Sequence, residues 1–86
     1  MQSAVEISMY PLTGEYRPLI KAFIERLNTY PDMTVKTNAL STQVWGALDR
    51  VLSMVAAEIE RAASGSARGA PQLVFVMKVL PGLAPP

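Results

Sequence analysis

The 86-residue chain contains no cysteine and no histidine. Their absence removes the thiol nucleophile, the disulfide staple, the thiolate or imidazole metal site and the most frequent general base. The seven acidic residues, Glu6, Glu15, Glu25, Asp32, Asp49, Glu58 and Glu60, sit on separate elements and form no obvious pair. Catalysis, a bound metal and a cofactor are therefore not expected, although an oxygen-only cation site stays open. Charge is also scarce: 17% of residues are charged, against about 25% in ordinary soluble domains. The net charge is +1 and the basic residues are scattered, so no footprint for nucleic acid or an anionic membrane exists. No run approaches the ~20 apolar residues of a membrane span. The stretch from Met1 to Glu6 lacks the basic start and apolar middle of a secretion signal. The expectation is a cytoplasmic protein that does not insert into membranes.

What the chain does have is apolar surface, since half of its residues are hydrophobic. Residues 1–86 read as one domain with an irregular tail over 81–86, and a domain of that size leaves roughly 35–40% of the unfolded chain's surface exposed. A small core without covalent staples, in so apolar a chain, points to a homodimer or higher homo-oligomer. The competing reading is a monomer with a sticky surface.

Periodicity places the elements. From Ala4, Val5, Ile7 and Met9 alternate with Glu6, Ser8 and Tyr10 as a strand that Pro11 ends. After the turn at Thr13-Gly14, Tyr16, Leu19, Ile20, Phe23, Ile24 and Leu27 recur at helical spacing. Pro18 belongs in the first turn, which puts the helix cap at Gly14 or Glu15. Met33, Val35 and Thr37 alternate with Thr34, Lys36 and Asn38 as a second strand. A hairpin tip at Asn38-Ala39 leads into a third, where Leu40, Thr42 and Val44 alternate with Ser41, Gln43 and Trp45 before Gly46. Ala47 to Ala63 is a second helix with a buried stripe through Leu48, Val51, Leu52, Val55, Ile59 and Ala62, and with Asp49, Glu58 and Glu60 on its solvated side. Ser64 to Gln72 reads as a mobile loop. Leu73 to Leu80 is a fourth strand, apolar on both faces except at Lys78, of the kind usually covered on both sides.

The order strand, helix, strand, strand, helix, strand is the split βαβ arrangement. The expected fold is α+β and ferredoxin-like, a βαββαβ sandwich with a four-stranded antiparallel-type sheet and two helices on one face. The helix-free face would collect Glu6, Ser8, Tyr10, Thr34, Lys36, Asn38, Ser41, Gln43, Trp45, Val74 and Val76. That mixture suits a second subunit packed sheet to sheet, with Trp45 as an anchor.

Two runs carry the functional signal, Val5 to Leu12 and Val35 to Gly46. Both are strand-like yet interrupted by hydroxyls, an amide, a carboxylate and aromatics, a combination that suits a small polar ligand. Their candidate ligand-binding residues are Glu6, Ser8, Tyr10, Tyr16, Thr37, Asn38, Ser41 and Thr42. Each has a structural alternative. Thr favours strands, Asn38 favours the hairpin tip, Tyr16 opens the buried helix stripe, and Glu6 has Lys36 or Lys78 within reach across the sheet. Because Thr37 and Thr42 alternate toward the helices and Ser41 away from them, either sheet face is open as the pocket.

The same runs, Glu6 to Leu12 and Val35 to Gly46, with Tyr16 opening a helix that bears Ile20 and Phe23, resemble the YkoF-like thiamine and hydroxymethylpyrimidine-binding family. The resemblance extends from about Val5 to Val79. It implies a ferredoxin-like module that assembles through its sheets and binds the pyrimidine end of thiamine without turning it over, for transport or salvage. Glu6 would then accept hydrogen bonds from the aminopyrimidine or offset the thiazolium charge. Some relatives carry two such modules in tandem, and association of identical chains would replace the second copy here. The alternative is a structural or regulatory domain whose sheet binds a partner protein. RNA binding is disfavoured, because the sheet lacks paired aromatics and basic strands.

Overall fold

The structure is a computed structural model that describes residues 1–64 and 72–86. The chain runs through β1 (Gln2–Pro11), α1 (Tyr16–Leu27), β2 (Thr34–Thr37), β3 (Thr42–Ala47), α2 (Leu48–Ala63) and β4 (Leu73–Pro81). All pairings are antiparallel and the sheet order is β2-β3-β1-β4. This is the ferredoxin-like α+β arrangement. The loop expected over Ser64 to Gln72 lies almost wholly outside the described residues.

The core lies between one sheet face and the helices. Val5, Ile7 and Met9 of β1 and Val44 of β3 meet Phe23 and Leu27 of α1 and Val51, Met54 and Val55 of α2. Phe75 of β4 closes one end, its ring tilted 52° against Phe23 at 5.2 Å between centroids, a favourable aromatic geometry. Gly46 lets α2 start close to the sheet. A Cβ there would fall 2.5 Å from Met33 Sδ and 3.0 Å from Val51 Cγ2.

Local chemistry explains the ends of α1. Pro18 sits in the first turn, where its missing N–H costs no intrahelical bond. At the other end Asn28 donates both its backbone N–H and its Nδ2 to the Ile24 carbonyl, while Thr29 Oγ1 donates to the Arg26 carbonyl at 2.7 Å. These bonds occupy carbonyls that the helix end would leave open.

Four expectations are corrected. First, Glu58 is not on a solvated face but is 1% exposed on the buried side of α2, beside Met54 and Val55. Arg26 grips it with two 3.2 Å hydrogen bonds, and Arg61 adds a 3.2 Å ion pair. The buried stripe is rotated toward Met54 and Glu58, leaving Leu52 exposed. Second, β3 begins at Thr42 rather than Leu40, because Asn38 Oδ1 accepts the backbone N–H groups of Leu40 and Ser41 and bends the chain there. Leu40 projects outward, 86% exposed. Third, β4 is an edge strand, so Val74, Val76, Met77, Val79 and Leu80 are exposed in the single chain rather than covered on both sides. Fourth, Trp45 is 9% exposed within the chain, beside Ala4 and Thr34 in the ladder, so it is no free anchor. Its Nε1 is buried without a hydrogen-bond partner among the described residues.

Candidate ligand cleft

β1 is longer than the strand beside it, and that mismatch makes the cleft. Pairing between β1 and β3 stops at Ile7 opposite Thr42, whereas pairing with β4 continues to Pro11 opposite Leu73. Past Ile7 the β2–β3 hairpin turns away and leaves a gap beside β1, roofed by α1 from Tyr16 to Ile24. The resulting cleft has a volume of about 460 Å³, within the range of small-molecule sites.

Seven of the eight sequence-derived candidates line it: Ser8, Tyr10, Tyr16, Thr37, Asn38, Ser41 and Thr42. Glu6 does not. The cleft therefore belongs to neither sheet face alone. It wraps the free end of the sheet, taking Thr37 and Thr42 from the helix side and Ser8, Tyr10 and Ser41 from the other.

The polar groups differ in availability. Thr37 and Thr42 face each other across the hairpin with 3.0 Å between hydroxyl oxygens, so one proton is shared between them and the remaining donor is free for a ligand. Ser41 is largely spent, accepting from Gln43 Nε2 at 2.7 Å and donating to Glu6 Oε2 at 3.0 Å. Glu6 is also 3.6 Å from Lys78 Nζ, the cross-strand pairing that its position allowed. It reaches the cleft only through Ser41. Asn38 uses its carbonyl to hold the turn, and Ser8 donates to the Leu40 carbonyl at 3.3 Å. Tyr10 and Tyr16 are both half-exposed at the rim, and the Arg17 guanidinium lies 5.9 Å from the Tyr16 ring centre, within cation–π range.

The sequence reading missed the apolar walls. Met9 and Pro11 of β1, Leu12 just after it, and Ile20, Phe23 and Ile24 of α1 line the cleft as well. Periodicity assigns Met9, Ile20 and Phe23 to the core, and nothing local marks a core residue that borders a gap. The signal was the difference in strand length, visible only once register is known. Among the described residues no charged side chain lines the cleft. Its chemistry is apolar contact, aromatic surface, hydroxyls and main chain, which suits an uncharged planar group. Among the described residues no three carboxylates converge as a cation site would need, and no helix is long and apolar enough to cross a membrane.

No family model matches the chain, and no curated protein sequence matches it. Solved structures do. A Streptococcus pneumoniae protein superimposes with a TM-score of 0.81 at 20% identity, over 96% of this chain and 89% of its own. A hypothetical protein from Methanocaldococcus jannascii gives 0.73 at 25% identity, over 91% and 77%. A Thermotoga maritima protein provisionally assigned to thiamine biosynthesis or salvage gives 0.74 at 18% identity, over 93% and 83%. These similarities establish the fold.

Proposed function

We propose that this chain is a non-catalytic binding protein for thiamine or its hydroxymethylpyrimidine moiety, of the YkoF-like kind, acting in cytoplasmic thiamine transport or salvage. The observation that carries the reading is the cleft at the end of the sheet. It gathers a hydroxyl pair, Thr37 and Thr42, and two rim tyrosines, Tyr10 and Tyr16, around apolar walls, with no charged group among the described residues. A methyl-bearing aminopyrimidine has the flat apolar faces and the donor–acceptor edge that such a lining can hold. The Thermotoga maritima protein of the same fold adds a thiamine-related precedent.

In the same proposal the chain works as a homodimer or larger homo-oligomer through its helix-free sheet face. Tyr10, Val74, Val76 and Leu80 are 41–51% exposed there, a density of apolar groups that favours association. That face also supports the second reading, a domain whose sheet binds a partner protein.

Isothermal calorimetry decides between them. Thiamine and hydroxymethylpyrimidine should release binding heat, whereas the isolated thiazole half should bind poorly. Absence of heat with both pyrimidine ligands at millimolar concentration would leave the interaction domain as the better account.

A further inference from the structure

The main chain of β1 supplies a recognition element that no side chain reveals. In an antiparallel strand, successive residues point their N–H and C=O groups to alternate neighbours. Two hydrogen bonds fix which residues point where. The Leu12 N–H donates to the Gln72 carbonyl at 2.8 Å, continuing the β1–β4 register, so even-numbered residues of β1 face β4. The Leu48 N–H donates to the Met1 carbonyl at 3.0 Å, continuing the β1–β3 register, so odd-numbered residues face β3.

Met9 and Pro11 are thus aimed at a strand that is no longer there. β3 starts only at Thr42, opposite Ile7, so it does not reach Met9. Leu40, which would oppose Met9, gives its N–H to Asn38 and its carbonyl to Ser8. The Met9 N–H has no hydrogen-bond partner among the described residues, and Met9 and Pro11 both line the cleft.

We propose that ligands dock edge-on to β1 in this cleft, with the Met9 N–H as donor and the Met9 carbonyl as acceptor, so that the site takes small planar rings carrying an acceptor beside a donor. The proposal rests on the cleft being the ligand site. An extended peptide is the poorer occupant. Pro11 has no N–H and removes the second donor such a strand would need, and Pro on a free edge blunts strand addition. A residue's N–H and C=O on one edge instead match the neighbouring acceptor and donor of a cis-lactam or an amino-substituted ring nitrogen.

Amide hydrogen exchange by NMR on the full-length, nitrogen-15-labelled chain tests this, using 4-aminopyrimidine, 2-pyridone and pyridine as probes. In the free protein the Met9 amide should exchange at least about tenfold faster than those of Ile7 and Tyr10, which are held by β3 and β4. With 4-aminopyrimidine or 2-pyridone it should shift downfield and slow by about tenfold, while Tyr10 stays unchanged. Pyridine lacks the donor and should bind roughly five- to tenfold more weakly. A Met9 amide already as protected as Ile7, binding of the two bidentate rings that leaves Met9 unmoved, or failure of both to bind at millimolar concentration would each overturn the proposal. Thiamine and hydroxymethylpyrimidine run in parallel separate the two ideas. Their failure beside a protected Met9 in 2-pyridone sinks only the thiamine reading, and their binding without a Met9 response sinks only the main-chain contact.

Discussion

Tyr30 donates its phenolic O–H to Oε2 of Glu58 at 2.6 Å, joining the segment after α1 to the buried side of α2. The carboxylate also receives two bonds from Arg26 and an ion pair from Arg61. A buried carboxylate is tolerable only when its oxygens are satisfied, and here one residue holds both helices through its partners.

Removing a partner should therefore cost stability. Tyr30→Phe leaves the arginine bonds in place and is expected to lose about 1–2 kcal/mol, and Glu58→Gln about 1.5–3 kcal/mol. At about 4–8 °C per kcal/mol for a domain of this size, thermal denaturation followed by circular dichroism resolves both. Arg61→Ala should cost under about 1 kcal/mol, since that side chain is well exposed. Equal melting temperatures for wild type and Glu58→Gln would show that the cluster does not stabilise the fold.

The same cluster sets a pH dependence. Burial by itself raises the Glu58 carboxyl, but hydrogen bonds from Arg26 and Tyr30 and the charges of Arg26 and Arg61 outweigh it and hold the group below its ordinary value. The unfolded chain then takes up the proton first as pH falls. Glu58's contribution is complete above the ordinary glutamate value of about 4.3 and is lost as pH drops through the lower folded value. The melting-temperature gap between wild type and Glu58→Gln should be constant between about pH 7 and 5 and should close below about pH 4. Tyr30 behaves with the opposite sign, because its bond to Glu58 and its burial raise the phenol. Its contribution holds below about pH 10 and is lost as pH rises through the higher folded value.

In the cleft, availability rather than proximity should rank the variants. Thr42→Val breaks the hydroxyl pair and is expected to weaken pyrimidine binding by about five- to a hundredfold, the equivalent of about 1–3 kcal/mol. Ser41→Ala and Glu6→Gln should have smaller effects, because Ser41 is already engaged by Gln43 and Glu6. Asp49→Asn on the exposed start of α2 should change nothing. Calorimetric titration of the four variants gives the order, and a loss with Glu6→Gln larger than with Thr42→Val would mean that Glu6 contacts the ligand.

Val76→Glu tests the sheet face. Val76 is 51% exposed in the single chain, so the variant should fold normally as a monomer. If two sheets pack there, the buried carboxylate would lose its hydration and the assembly should dissociate. Size-exclusion chromatography with light scattering reads the mass directly. A wild-type protein that is monomeric at micromolar concentration would remove the sheet-to-sheet arrangement.

Strand and helix periods are local properties of the chain, so the order of the six elements and the ferredoxin-like fold were legible in the spacing of residues such as Val5, Ile7 and Met9 or Phe23 and Leu27. Hydroxyls and aromatics in strand-like runs were legible too, and seven of the eight residues they nominated converge on one cleft. The sequence also offered Lys36 or Lys78 as a cross-sheet partner for Glu6, and strand register selects Lys78. Two features were not legible. Glu58 reads as a surface residue by type, and only the rotation of α2 against α1 brings Arg26 and Tyr30 to it and makes its burial tolerable. The cleft itself exists because β1 outruns β3, a relation between strands distant in sequence that no local pattern encodes. Propensity and periodicity act over a few residues. Register, helix rotation and the gaps they leave are decided by packing between segments far apart in the chain.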